Sequence, residues 1–258
     1  MTSPRAVTVT ALAGLAEISP GDDLAAKIAT AAAGTGELGV LRDGDVLVIA
    51  HKVLSKAEGR IRRLSEVKPG ERASALAAEL GKDARHVQVV LDESREVLRA
   101  AHGVLICVTR HGFVCANAGV DASNVRGEDA VVLLPTDPDF SARTLRDRLR
   151  ALRGAGPAVV ITDSFGRAWR HGQTDVAIGC AGICPLEDWR GRTDAYGREL
   201  RATWIAIADE LAAAADLVRA KDGFQPVVVV RGAERYVSTE HGPGAAAMIR
   251  PESEDLFR

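Results

Sequence analysis

The segment that most constrains the fold is an apolar run, Ala158–Thr162, which is followed at once by Asp163 and Ser164. Short apolar runs rich in Val and Ile and bounded by polar residues are typical of buried strands. Cationic and amide side chains come next, among them Arg167 and Gln173. Because hard divalent cations take oxygen ligands and bridge substrate phosphates, this strand end predicts metal-dependent phosphate chemistry.

A second junction of this kind lies upstream, where the strand-like segment Gly112–Ala116 leads to Asp121 and Asn124. Asp and Asn at strand ends often only hydrogen-bond their own backbone in turns. The hydroxyl of Ser164 beside Asp163 favours a ligand set instead, since carboxylates and hydroxyls suit the same hard cation. We therefore expect Asp121 and Asp163 to share one divalent metal, with turn chemistry as the alternative.

The composition excludes several classes of protein. The chain has 258 residues, of which 47% are hydrophobic and 26% charged, and its formal net charge is −2. Nucleic-acid binding needs a clustered excess of cations, so we expect small-molecule partners instead. Ala-rich runs such as 211–215 are far shorter than a membrane span of about 20 residues. The start of the chain has no secretory pattern, which predicts a cytoplasmic protein.

The four cysteines, Cys107, Cys115, Cys180 and Cys184, stand in apolar or Gly/Ala-rich surroundings. Such surroundings predict reduced, buried, structural thiols. The spacing of Cys180 and Cys184 also fits half of a metal site, but no second Cys or His pair at a suitable spacing accompanies it.

Strand-like and helical patterns alternate along the chain and predict an α/β or α+β fold with a mixed sheet. We expect one unit over 1–258, with a break between two subdomains at the prolines of 135–139. Asp92–Arg95 has the composition of a helix N-cap, and Ser141 is the expected N-cap of another helix. The predicted helices are Asp22–Ala33, Glu71–Leu80, Ser141–Arg153 and Thr203–Arg219, and the predicted strands are Ala6–Thr10, Asp45–Ala50, Val87–Leu91, Val104–Thr109, Gly112–Ala116, Ala130–Leu134, Ala158–Thr162 and Pro226–Val230.

Two further segments bear on phosphate binding. Gly34–Gly39 fits G-x-G-x-x-G, but the dinucleotide fingerprint requires a strand before the glycines and a helix after them. Here the order is reversed, so we interpret it as a turn, and the sequence has no P-loop. His51–Arg60 follows a strong strand and is rich in cations, which fits either a phosphate site or a solvated turn.

Together, these and other segments resemble the coenzyme F420-0:gamma-glutamyl ligase family over essentially the whole chain. The resemblance implies a GTP-dependent amide ligase that adds L-glutamate to a deazaflavin precursor, F420-0, in a family-specific α/β fold that forms an intertwined homodimer. It also implies Mg²⁺ or Mn²⁺ at two sites, and K⁺. The matching segments are Gly44–Ile49, Ser55–Arg60, Ala118–Asn124, Asp163–Gln173, Asp194–Leu200, Ala215–Val218 and Pro226–Gly232.

By position, the resemblance implies that Asp121 and Asp163 hold the first metal and Ser164 the second. Lys56 and Arg167 are expected to act beside those aspartates by positioning anions, and these four charged residues form the expected catalytic set. GTP contacts are implied for Leu15, Ala16, Glu17, Ile18, His51, Lys56 and Asn124 and, in a loop at 218–225, for Val218, Lys221 and Asp222.

The chain departs from the family pattern at three positions. His51 stands where the family usually has a small hydroxyl residue, and Ala16 where it often has Pro. Ala220 replaces a Gln that helps archaeal members hold the second metal, so we expect a weak second site or another oxygen donor, with Asp222 nearest. The longer actinobacterial form continues into a flavin-binding domain, which we do not expect here.

Two other functions fit the same residues. The aspartates would also serve a metal-dependent phosphatase or nucleotide hydrolase. A non-catalytic protein that binds a nucleotide or a deazaflavin is the third hypothesis.

Overall fold

The computed structural model describes residues 6–123, 129–219 and 223–256. The helices in these ranges are α1 (Leu24–Ala33), α2 (His51–Ala57), α3 (Glu71–Leu80), α4 (Ala84–Asp92), α5 (Pro138–Arg153) and α6 (Ile207–Asp216). The strands there are β1 (Thr8–Ala11), β2 (Val46–Ala50), β3 (Ile61–Arg63), β4 (Ser94–Ala101), β5 (Val104–Thr109), β6 (Val114–Ala116), β7 (Ala130–Val132), β8 (Ala158–Arg167), β9 (Arg170–Ala181), β10 (Glu187–Asp188), β11 (Trp204–Ile205) and β12 (Val227–Arg231).

The central sheet of the described residues has the strand order β1-β12-β2-β8-β9. Strands β2 and β8 run parallel, and the other neighbours are antiparallel, so the sheet is mixed as predicted. Successive side chains of a strand point to opposite faces. Leu47 and Ile49 of β2 accordingly pack with α1 and α5, whereas Val46 and Val48 pack with α6. Both faces are therefore covered by helices.

A second core lies around the three-stranded sheet β4-β5-β6. Leu105 and Cys107 of β5 pack there against Val87 and Val90 of α4 and against α3. The pair β3 and β7 contributes Val131 to the same core. None of the helices in the described ranges is long and apolar enough to cross a membrane.

The strand predicted at Val87–Leu91 is wrong, because these residues form the second half of α4. The buried positions Val87 and Val90 are three residues apart, which is helical spacing. Asp92–Arg95 is not a helix N-cap either. The helix ends at Asp92 and the unpredicted strand β4 begins at Ser94.

The start of α5 also differs from the prediction. Asp137, not Ser141, caps the helix, since its Oδ1 accepts a hydrogen bond from the Phe140 backbone N–H at 2.9 Å. Pro138 is well placed in the first turn, where a helix has no use for its missing N–H. The Ser141 hydroxyl instead donates to Glu58 Oε1 at 2.5 Å.

Candidate functional site

Two parallel strands, β2 and β8, lie side by side in the central sheet, and β2 ends at Ala50 while β8 continues to Arg167. The strand predicted to end at Thr162 is therefore longer than expected, and Asp163 and Ser164 lie within it. Ala50, the last residue of β2, is the register partner of Thr162 in β8. His51 therefore begins α2 next to the point where β8 continues into Asp163 and Ser164. Ligands of open α/β sheets bind in the crevice beyond the carboxyl ends of such strands.

Asp121 reaches the same place from the second core. Asn117, Ala118 and Gly119 have φ values of 50°, 51° and 71°, which make a tight left-handed turn after β6. The chain then runs antiparallel to β7, where Asp121 exchanges backbone hydrogen bonds with Val132. This turn brings Asp121 to the same cavity as Asp163 and Ser164 of β8.

A cavity of about 990 Å³ lies between these elements. It is lined by most of the residues that the sequence singled out, although their roles stay predictions. They are Leu15, Ala16, Glu17, Ile18, His51, Lys56, Asp121, Asp163, Ser164 and Gln173.

Asp121 is held as a carboxylate by a neighbouring ammonium group. Lys52 Nζ lies 2.6 Å from Asp121 Oδ2, and the Ser123 backbone N–H donates to Oδ1 at 2.6 Å. Burial alone would raise the pKa of Asp121, but these hydrogen bonds outweigh it and the pKa lies below its usual value. Asp121 is therefore ready to meet a cation without first losing a proton.

His51 and Asp163 lie next to each other in the lining of the cavity. His51 is buried, and its Nε2 lies 3.4 Å from Asp163 Oδ1 without a hydrogen-bond partner among the described residues. Its Nδ1 lies 3.3 Å from the Ser55 hydroxyl. An unsatisfied buried nitrogen beside a carboxylate is costly unless a ligand completes the site. The pair thus indicates a place for a bound group.

The donors present suit a divalent metal that is shared with a substrate. In the described ranges no group of three or more His, Cys, Asp and Glu side chains forms a complete metal site. Mg²⁺, however, is commonly held by one or two carboxylates together with substrate phosphates and water. Asp121, Asp163 and the Ser164 hydroxyl supply that kind of incomplete oxygen set around one cavity.

A buried polar network lies under this oxygen set. Asp175 of β9 accepts hydrogen bonds from Ser164 Oγ at 2.6 Å and from Thr162 Oγ1 at 2.8 Å. Arg219 Nη1 lies 2.6 Å from Asp175 Oδ2 and donates to Thr162 Oγ1 at 3.0 Å. Burial lowers the pKa of Arg219, and the adjacent carboxylate of Asp175 acts against that shift. The network holds the side chains of Thr162 and Ser164 in β8.

Several polar lining residues were not named individually as site residues, among them Lys52, Thr162, Asp175 and Arg219, although Lys52 lies in the cationic run 51–60 and Arg219 in the predicted loop 218–225. Lys52 has no distinguishing signal within the cationic run that contains it. Asp175 does have a sequence signal, because it stands in the polar half of β9, directly opposite Ser164 in the register of the β8–β9 hairpin. A prediction of β9 as the partner of β8 would have paired these two side chains.

Some predicted residues do not meet the cavity or lie outside the described part of the chain. Arg167 sits at the exposed β8–β9 turn, where its Nη2 donates to His171 O at 2.9 Å, and Val218 does not line the cavity. The roles of both residues stay predictions. Asn124, Ala220, Lys221 and Asp222 are outside the described residues.

The thiols offer no obvious nucleophile in the cavity. Burial, together with the charge of nearby Asp163, raises the pKa of Cys115 to about 12, so its thiol stays protonated. Cys107 and Cys180 are buried as predicted, but Cys184 is exposed, which corrects the prediction that all four are buried.

Comparisons with known proteins identify the family of this chain. The family model described as F420-0:Gamma-glutamyl ligase matches residues 14–232. Three relatives carry the name coenzyme F420:L-glutamate ligase. The Methanopyrus kandleri protein is 47% identical over 94% of this chain and 94% of its own length. The Archaeoglobus fulgidus protein is 46% identical over 98% of this chain and 96% of its own length. The Methanothermobacter thermautotrophicus protein is 42% identical over 98% of this chain and 99% of its own length. The chain belongs to the F420-0:gamma-glutamyl ligase family.

Proposed function

We propose that this chain is a GTP-dependent ligase that joins L-glutamate to F420-0 through an acyl phosphate. The observation that carries the proposal is the cavity at the end of β2 and beside the middle of β8, where Asp121, Asp163 and cationic side chains surround one space. Membership of the family, with relatives named coenzyme F420:L-glutamate ligase, supports the choice of glutamate and F420-0.

Amide formation needs an activated carboxyl group, because a free carboxylate is a poor acylating agent. In the proposed route a carboxylate oxygen of F420-0 attacks the γ-phosphorus of GTP, and GDP leaves. The glutamate amine then attacks the acyl carbon, phosphate leaves, and the amine proton passes to solvent. The net reaction yields one amide, one GDP and one phosphate.

The side chains around the cavity have charges suited to these steps. Lys52 and Lys56, both on α2, line the wall and would attract the triphosphate. Asp121, Asp163 and Ser164 would hold Mg²⁺ or Mn²⁺, which would neutralise charge on the phosphate oxygens. A second divalent site, K⁺ and a homodimer are further parts of the proposal, and sedimentation of the protein would test the last.

The product tests the proposed function directly. The protein is incubated with F420-0, L-glutamate, GTP and Mn²⁺, and the mass of the deazaflavin is followed. A gain of one glutamyl unit is expected. Loss of GTP without that gain would support a nucleotide hydrolase, and absence of both reactions would support a binding protein. Replacement of GTP by ATP in a parallel sample tests the preference for the nucleotide.

A further inference from the structure

We propose that Asp175 is a positioning residue that sets the hydrogen-bond polarity of Ser164 and so makes its hydroxyl a ligand for a cation. The inference rests on the proposed function, in which Ser164 contributes to a metal site. It concerns a buried residue of the cavity lining and assigns it a role in metal binding.

The direction of the hydrogen bonds among Arg219, Thr162, Asp175 and Ser164 is fixed by chemistry. Arg219 has only donors, so Asp175 Oδ2, 2.6 Å from its Nη1, is an acceptor. Thr162 receives a hydrogen bond from Arg219 and therefore donates its own hydrogen to Asp175 Oδ2 at 2.8 Å. Ser164 Oγ, 2.6 Å from Asp175 Oδ1, meets an acceptor and must also donate.

A serine hydroxyl has one hydrogen. Because that hydrogen is directed to Asp175, the Ser164 oxygen meets the cavity as an electron-pair donor. This polarity suits a cation and disfavours a phosphate oxygen. Buried partners that orient metal ligands in this way commonly affect metal affinity by about 10- to 100-fold.

The network is rigid enough to hold this orientation. The Asp175 and Arg219 side chains are only 3% and 8% exposed, and Arg219 Nη2 also donates to Val48 O at 3.3 Å. Asp175 and Ser164 are register partners in the β8–β9 hairpin, so the backbone sets their separation. The hydroxyl is thus held before any ligand arrives.

The variant Asp175→Asn reverses the polarity in a defined way. Arg219 and Thr162 both donate toward Oδ2, so the amide oxygen must face them and the amide N–H₂ must face Ser164. The Ser164 oxygen then accepts a hydrogen bond, and its own hydrogen turns to the cavity. Binding of Mn²⁺ alone, followed by the electron paramagnetic resonance signal of the free ion, should weaken at least tenfold.

A double-mutant comparison separates this mechanism from a simple loss of charge. In a Ser164→Ala background, Asp175→Asn should change Mn²⁺ affinity by less than about threefold, because Asp175 acts through the missing hydroxyl. A general charge effect would persist in that background. Asp209→Asn is the matched control: Asp209 is also partly buried and hydrogen-bonds the β9 backbone at Ala177, but it does not line the cavity. It should leave affinity unchanged.

Asp175→Asn leaves Arg219 without its counter-charge, so thermal melting must accompany the binding curves. If the variant does not fold, Asp175→Val combined with Arg219→Met removes both charges and keeps the net charge unchanged. This pair should also weaken Mn²⁺ binding at least tenfold, and it should add no loss to Ser164→Ala.

Wild-type affinity in these variants, or a further loss of tenfold in the Ser164→Ala background, would overturn the inference while the ligase proposal stands. A wild-type protein that binds no Mn²⁺ would overturn both the inference and the proposed metal requirement.

Discussion

The turn at Gly119 offers a quantitative test of how the chain delivers Asp121 to the cavity. Gly119 has φ of +71°, and a Cβ there would lie 2.7 Å from Leu134 Cγ. The substitution Gly119→Ala therefore combines two costs. A left-handed non-glycine residue costs roughly 1–2 kcal/mol, and overlap in a packed core costs about 1–3 kcal/mol. The free energy of unfolding should fall by about 2–5 kcal/mol.

Gly154, at the end of α5, provides the matched control. Its φ is +73°, and no atom of the described residues would come within 4 Å of an added Cβ. Gly154→Ala should thus cost only the backbone part, about 1–2 kcal/mol. Urea unfolding at constant m-value measures both changes. Equal costs in the two variants would refute the argument that Leu134 leaves no room for a Cβ at Gly119.

Three further predictions follow from single side chains. Asp121→Asn and Asp163→Asn should each lower ligase activity at least about 100-fold in steady-state assays at saturating Mn²⁺. The control Asp209→Asn should not lower it. Near-normal activity of the Asp121 or Asp163 variant would mean that these aspartates are turn residues only. Burial raises the pKa of Glu58, so the folded protein binds its proton more tightly and stability is lost as pH rises through that pKa. Relative to wild type, Glu58→Gln should gain stability at pH 8 and lose that advantage near pH 4 in urea unfolding, and a constant difference would contradict this. Of the four thiols, only Cys184 should react quickly with a maleimide in the native protein, because it alone is exposed. The intact mass would show one label, and fast labelling of a second thiol would contradict the burial of the other three.

Most strands of the central sheet were predicted from the sequence, because strands buried on both faces appear as short runs of apolar residues. The Val- and Ile-rich runs of β2, of the first half of β8 and of β12 are continuous and short, as buried strands usually are. The prediction failed where the signal depends on partners far along the chain. Half of β9 is polar because it extends past the core beside the cavity, and β4 has no fully buried residue.

The site was predicted in part for the same reason. Asp163 follows the apolar half of β8, and Asp121 follows β6 after a short turn, so the change from apolar to polar residues was readable from the local pattern. Lys52 and Arg219 depend on tertiary contacts instead. Lys52 meets Asp121 from α2, and Arg219 reaches under β8 from beyond α6. Sequence spacing alone does not encode either approach.

The proposed ligase reaction fixes the ratio of GDP formed to glutamyl units added, and this ratio can be measured directly. GDP and glutamylated deazaflavin are quantified in the same samples after incubation of the wild-type protein with F420-0, L-glutamate, GTP and Mn²⁺. We predict one GDP for each glutamyl unit added, and neither product with Asp163→Asn. GDP released in the absence of glutamylated product, or equal product from the Asp163 variant, would contradict the assignment of this cavity as a ligase site.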